Sequence, residues 1–385
     1  MENAGDPRLV PAALYVHVPF CRARCAYCDF ARVVRTADGV ARYLAALEEE
    51  LARRVVAPFA PRTVYFGGGT PTSLETAELA RLLELFARHV DLSRSEEFTV
   101  EANPGTITPE KLAQLRAHGV NRLSLGAQSF QPRLLKLLGR IHTADEARAA
   151  VGLARAAGFA NLSLDLMHGL PTETREELGA DLDAALALRP EHLSAYGLTY
   201  EEGTPLAAAV PRGEVSKLAP EEEAAQYRLV MERLEAGGLA QYEISNYALA
   251  PRREARHNLV YWRNEAYLGL GPSAASYAGG ERTVNAADLE EWARGIAARG
   301  EAFATRERLS GEQRAREALI LELRLRAGVE PREFRARWDF DIEAACGTAL
   351  ERFRAQGVME RTDEGRWRIA RAGLPVADTI LSELV

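Results

Sequence analysis

From residue 14 to about 245, short apolar runs alternate along the chain with longer stretches of helical periodicity. The runs that read as strands are L-Y-V-H-V (14–18), T-V-Y-F (63–66), F-T-V-E-A (98–102), R-L-S-L-G-A-Q (122–128), N-L-S-L-D-L-M-H-G (161–169) and H-L-S-A-Y-G-L (192–198). Between them, stretches such as G-V-A-R-Y-L-A-A-L-E-E-E-L-A-R-R and P-E-K-L-A-Q-L-R-A-H-G carry apolar residues at helical spacing and stop at glycine. Strand–helix repetition predicts parallel βα units. Six such units build an open doubly wound sheet or a complete or partial barrel, and periodicity does not choose among these. After about residue 300 the alternation stops. Three helical segments then precede V-M-E-R-T-D-E-G-R-W-R-I, a hairpin pattern with Asp363, Glu364 and Gly365 at its turn. That order predicts a winged-helix-like α+β module. The expected division is a tail over 1–13, a core over 14–300 and a C-terminal domain over 301–385.

Polar and glycine residues interrupt the apolar runs at one end only. Gly67 to Thr70, Glu101, Gln128 and Asp165 all fall where a predicted strand finishes. In βα architectures the carboxyl ends of the strands face the ligand. One face of the molecule is therefore expected to carry the chemistry.

Composition narrows the function classes. Of 385 residues, 47% are apolar and 27% charged, which is ordinary for a soluble globular chain. A net charge of −7 argues against a general nucleic-acid-binding role. In the C-terminal module Arg residues are matched by nearly as many acids, so no basic face is expected there either. Only three of the 48 basic residues are Lys, a bias from which no function is read. No apolar run reaches the length of a membrane span, and M-E-N-A-G-D-P-R has no signal-peptide pattern. Four cysteines, three of them clustered, do not make a disulfide framework. A reducing cytoplasm, with thiolates kept for a metal, is the expected setting.

The clustered cysteines read C-R-A-R-C-A-Y-C at 21–28, directly after a predicted strand. Structural zinc wants a closed tetrahedral set, usually as two spaced pairs of ligands. The remaining cysteine, Cys346, lies far away in an amphipathic helix, and His17, the nearest histidine, has the wrong spacing for a zinc knuckle. A four-iron cluster normally takes four thiolates. Cys21, Cys25 and Cys28 would leave one iron open to a bidentate small molecule.

C-x3-C-x2-C after Y-V-H-V-P-F resembles the radical S-adenosylmethionine (SAM) enzymes. The resemblance implies a [4Fe-4S] cluster whose open iron is chelated by the amino and carboxylate groups of SAM, together with a reductant for the cluster. It extends motif by motif to the oxygen-independent coproporphyrinogen III oxidase-like family, over roughly residues 12 to 385. G-G-G-T-P places Gly68, Gly69 and Thr70 at the SAM amino group. Glu101 in V-E-A-N-P-G and Gln128 in L-G-A-Q-S-F meet polar atoms of SAM, and Asp165 in L-D-L-M-H-G-L-P meets its ribose. Arg140 in L-G-R-I-H-T offers the SAM carboxylate a guanidinium fork. Tyr15 and Tyr27 match positions used around the cluster and adenine. Each of these, taken singly, reads more simply as a solvated or capping residue. The family's architecture is a radical SAM partial (β/α)6 barrel, which selects among the alternatives left open by periodicity.

The family has two branches. The dehydrogenase carries a further cysteine two residues past the third, where this chain has Phe30, and a longer extension ahead of its cysteines. The HemW-type haem chaperones have C-D-F after the cysteines and a downstream H-N-x-x-Y-W, read here as R-H-N-L-V-Y-W-R at 256–263. Resemblance to that branch implies a protein that binds haem and delivers it to haem-requiring proteins such as membrane respiratory enzymes, and allows a homodimer. The alternative is radical oxidative decarboxylation of two propionates of coproporphyrinogen III. His257 is then a haem contact, against the plainer reading of a satisfied histidine at a helix start with Tyr261 and Trp262 in the core.

Overall fold

The computed structural model describes residues 11–55 and 59–384; most of the expected tail over 1–13 lies outside them. All six expected strands form: β1 (Ala13–Val18), β2 (Thr63–Gly68), β3 (Glu97–Ala102), β4 (Arg122–Gln128), β5 (Leu162–His168) and β6 (His192–Gly197). They pair in chain order and all in parallel. A seventh strand, β7 (Tyr267–Leu270), adds in parallel to the free edge of β1. Its four residues, one of them glycine, are too few to show periodicity. Gly269 is required there because a Cβ would lie 2.0 Å from the Ala275 carbonyl oxygen of the returning chain. The chain then runs through antiparallel β8 (Ala275–Ala278), β9 (Glu281–Asn285) and β10 (Phe303–Arg308). At the other edge Asn246–Ala248 pairs antiparallel with β6. Among the described residues the two edges do not join, so the α/β sheet is a partial barrel.

A period of two sorts each strand. Val64 and Phe66 of β2 turn outward, where Phe66 meets Phe86 and Phe98 edge-on at 4.8 and 5.0 Å between ring centroids. Tyr65 turns inward, as do Arg122, Ser124, Gly126 and Gln128 of β4. The apolar core therefore lies between sheet and outer helices, and the barrel interior is polar. Thr143 and Thr174 start two of those helices as capping boxes with Glu146 and Glu177, devices worth about 1 kcal/mol each.

The short helix Arg256–Trp262 stops the barrel at the amino ends of the strands. Buried Glu97 of β3 accepts from the backbone N–H groups of Arg256 and His257, both at 3.0 Å. A carboxylate thus satisfies two of the donors that every helix start leaves orphaned. Beyond the sheet, helices Gly311–Glu322, Pro331–Trp338 and Ile342–Ala355 and the hairpin Met359–Arg361/Trp367–Ile369 follow in the expected order. Strand β10, inside the segment expected to be C-terminal, pairs with the barrel sheet. The module leans on the barrel through Arg326 N–H to the Tyr242 carbonyl at 2.9 Å and Arg324 over the Trp262 ring at 4.8 Å.

Candidate functional site

A cavity of about 400 Å³ opens at the carboxyl ends of the strands. Its wall brings together Cys21, Cys25, Cys28, Tyr27, Gly68, Gly69, Thr70, Glu101, Gln128, Arg140 and Asp165. These residues come from five different strands or the loops after them.

The cysteine loop is held open by its own backbone. Ala26 N–H donates to the Leu138 carbonyl and Leu206 N–H to the Ala26 carbonyl, both at 2.9 Å. Arg32 reaches across the loop to the carbonyls of Cys28 and Cys25. The Arg140 Nη1 contacts Cys25 Sγ at 3.4 Å and the Thr70 hydroxyl contacts Cys21 Sγ at 3.7 Å. Burial pushes the Cys21 and Cys28 thiols up, while the Arg32 charge pulls both back. No group of three His, Cys, Asp or Glu side chains among the described residues is arranged to hold a single metal ion. Three thiols spread around a cavity wall suit a larger metal group.

Gly68, which ends β2, and Gly69, which follows it, each answer a close approach. A Cβ at Gly68, whose φ is +100°, would fall 2.4 Å from the His17 ring. At Gly69 it would fall 2.7 Å from the Val18 and Phe20 carbonyl oxygens. Gly69 N–H bonds to Val18 and Thr70 N–H to Phe20, at 2.9 and 2.8 Å, which ties this turn to the cysteine loop. Gly68 N–H goes to Glu101 Oε2 at 3.2 Å. With these donors spent, a ligand group gripped by this backbone has to be a donor itself, as an ammonium is.

Glu101 accepts from the Tyr65 hydroxyl at 2.6 Å, and burial, followed by the nearby Asp165 charge, holds its carboxyl up to about 7. Asp165 accepts twice from the Ser124 hydroxyl, at 2.9 and 3.1 Å, and burial raises it as well. Gln128 has a φ of +64° beside a register shift between Gly126 and Gln128. A left-handed glutamine is uncommon and costs about 1 kcal/mol or more. The bulge folds the amide back over Gly126, where an added Cβ would lie 2.8 Å from Gln128 Nε2. Arg140 donates to the Gly126 carbonyl at 2.6 Å, and its Nε has no partner.

Two expected residues lie elsewhere. Tyr15 lines an adjoining cavity of about 390 Å³ with His17, Tyr261 and Tyr267, on the other side of Glu101 and Phe30. Its hydroxyl contacts His17 Nδ1 at 3.1 Å. His257 is 1% exposed beneath both cavities. Its Nδ1 meets the Thr63 hydroxyl at 2.9 Å and its Nε2 the Tyr261 hydroxyl at 2.8 Å. Burial holds the ring neutral, its pKa down at about 3. It stacks under Tyr65 at 5.1 Å, so it props the side chain that holds Glu101. Coordination of a haem iron by His257 requires one ring nitrogen to give up its hydrogen bond, to Thr63 or to Tyr261.

The cavity also contains Tyr65, Arg122, Ser124, Ser194 and Tyr196, which the motifs did not single out. The signal for several was present: in R-L-S-L-G-A-Q every second residue is polar or small, the mark of one inward face. Asn258 and Tyr261 show how H-N-x-x-Y-W is shared out. Asn258 lines the main cavity, Tyr261 the adjoining one, and Trp262 packs toward the C-terminal module.

Residues 15–185 match the radical SAM superfamily, and residues 309–376 match the HemN C-terminal domain. The chain is 38% identical over 352 residues to the heme chaperone HemW of Bacillus subtilis, covering 91% of this chain and 93% of that one. It is 33% identical to the mitochondrial radical S-adenosyl methionine domain-containing protein 1 of Mus musculus, over 97% and 87% of the two chains. The fold superposes on coproporphyrinogen III oxidase (HemN) from Escherichia coli with a TM-score of 0.84, at 24% identity and over 99% and 91% of the two chains.

Proposed function

Because the chain belongs to the HemW family of haem chaperones within the radical SAM superfamily, we propose that it binds haem and passes it to haem-requiring proteins, with respiratory enzymes among the acceptors. The observation that carries this reading is the shared wall: three thiols and the polar ends of successive strands face one cavity, in a chain alike over nine-tenths of its length to a haem chaperone. The donor set fits the family's cofactors. Cys21, Cys25 and Cys28 would hold three irons of a [4Fe-4S] cluster, leaving the fourth for SAM. When bound, the cluster supplies an electron and a coordination site for the amino acid end of SAM.

The chain's own residues divide the remaining work. The Gly68–Thr70 backbone accepts from the SAM ammonium, Arg140 faces its carboxylate, and Glu101, Gln128 and Asp165 take the ribose and other polar atoms. Tyr27 packs beside the cysteines it separates. Burial, which raises Glu101 and Asp165, also strengthens every hydrogen bond made within the cavity. His257, with Tyr261 and Asn258, connects the haem motif to this wall from below. The module from residue 309 onward packs against the barrel and shares one apolar core with it. No helix among the described residues is long and apolar enough to cross a membrane.

Anaerobic reconstitution tests the reading, with iron and sulfide counted and haem titrated by absorbance. Stoichiometric cluster and saturable haem binding are expected. The competing dehydrogenase activity is disfavoured by Phe30, which is 59% exposed at the position where that branch has its extra cysteine. Formation of protoporphyrinogen from coproporphyrinogen III, with SAM and a reductant, would overturn the chaperone reading.

A further inference from the structure

Arg122 begins β4 at the end remote from the cysteines and is 2% exposed. Its side chain lines the main cavity together with Asn258 of the stopper helix. Among the described residues its guanidinium forms no ion pair, and its Nε has no hydrogen-bond partner. The Arg122 charge acts on the two nearest carboxylates in the barrel, Glu101 and Asp165, but neither forms an ion pair with it among the described residues, and each accepts from other groups, Asp165 from Ser124 and Glu101 from Tyr65 and the Gly68 N–H. A buried guanidinium whose fork has no hydrogen-bonded partner is unfavourable unless a ligand or water completes it. Its planar fork fits a carboxylate through two parallel hydrogen bonds.

Distance separates this charge from the one at the mouth. Six residues of strand from Arg122 to Gln128 span about 20 Å. Arg140, at the mouth, already contacts Cys25 and the Gly126 carbonyl. An anion held beside the cysteines is therefore out of reach of the floor. We propose that Arg122 is a floor anchor for the carboxylate of a ligand that enters the barrel from the cysteine end. The inference rests on the haem-chaperone reading, which supplies that group as a haem propionate; the carboxylate of SAM, faced by Arg140 beside the cysteines, does not reach the floor.

The test removes the fork from the protein and the carboxylate from the ligand. Arg122→Met keeps reach and bulk without charge, and Arg122→Lys keeps charge without the fork. Circular dichroism and urea unfolding establish that each variant folds; if the Met variant does not, the Lys variant carries the comparison. Reconstituted full-length protein is titrated anaerobically with haem and haem dimethyl ester, and with SAM and decarboxylated SAM. Haem is expected to bind Arg122→Met about tenfold or more weakly than wild type, the worth of a charge-assisted pair. Arg122→Lys should show a smaller loss, while haem dimethyl ester, SAM and decarboxylated SAM should each bind wild type and variants alike. A loss confined to haem identifies a propionate, whereas an equal loss for SAM means that the substitution disturbs the whole cavity and overturns the proposal. Equal affinity of wild type and variant for haem also overturns it and leaves Arg122 as a water-bridged balance to Glu101 and Asp165. Wild type that binds SAM but no form of haem refutes the chaperone reading and the anchor with it.

Discussion

Replacing Glu101 with Gln tests the electrostatics of the cavity wall in a single residue. A carboxyl lifted from the ordinary 4.5 to about 7 represents about 3 kcal/mol of lost folded-state stability once it ionises, at about 1.4 kcal/mol per tenfold change in proton affinity. The folded state binds this proton more tightly than the unfolded chain. The contribution of Glu101 is therefore intact below pH 4.5, is lost as pH rises through the window from there to about 7, and is flat above. Gln mimics the protonated acid: its oxygen still accepts from Tyr65, but its amide nitrogen confronts the Gly68 N–H that now donates at 3.2 Å. That lost bond costs about 1 kcal/mol. Glu101→Gln should thus be less stable than wild type by about 1 kcal/mol near pH 4.5 and more stable by about 2 kcal/mol at pH 8. Urea unfolding of the metal-free protein, followed by circular dichroism at several pH values, reads the difference. Glu173, which burial lifts to about 8, titrates in both proteins and cancels. A difference that stays constant with pH, or a variant less stable at pH 8, would refute the reasoning.

Four further substitutions probe the supports of the site. Gly69→Ala drives a methyl into the Val18 and Phe20 carbonyls; it should cost about 1–3 kcal/mol in urea unfolding and lower the iron retained after reconstitution, because Thr70 and Cys21 part. Cys25→Ala should abolish the intact cluster by iron and sulfide count, whereas Cys346→Ala, buried in the C-terminal module, should leave the count unchanged. His257→Ala should spare iron uptake, lose about 1 kcal/mol for each of its two side-chain hydrogen bonds, and weaken haem binding. If the haem absorption spectrum also shifts, the imidazole reaches the iron; an unshifted spectrum means it acts through Tyr65.

The six parallel strands were legible because each is a run of at least four residues with alternation or a full apolar stretch, bounded by a helix of clear period. β7 was not, since Y-L-G-L offers no periodicity and owes its place to the backbone packing of Gly269 against Ala275. The mouth was legible through strand ends, where Glu101 and Gln128 break apolar runs; Asp165, expected at a strand end, lies in the middle of β5. The floor was not, although Arg122 and Ser124 alternate with Leu123 and Leu125 in plain view, because a charged residue at a strand start also reads as solvent-facing. The left-handed backbone of Gln128 depends on a local bulge at Gly126, which periodicity does not reveal, and the buried setting of His257 depends on Thr63 and Glu97, far away in sequence. A histidine motif names the residue without revealing that both its nitrogens are spoken for.

The Glu97-capped helix that stoppers the barrel has a consequence for traffic. With that end capped, the main cavity opens at the rim where the cysteines lie. If haem uses that cavity, as proposed, it loads and unloads in turn rather than in transit, and an acceptor protein comes to the threshold that SAM also crosses.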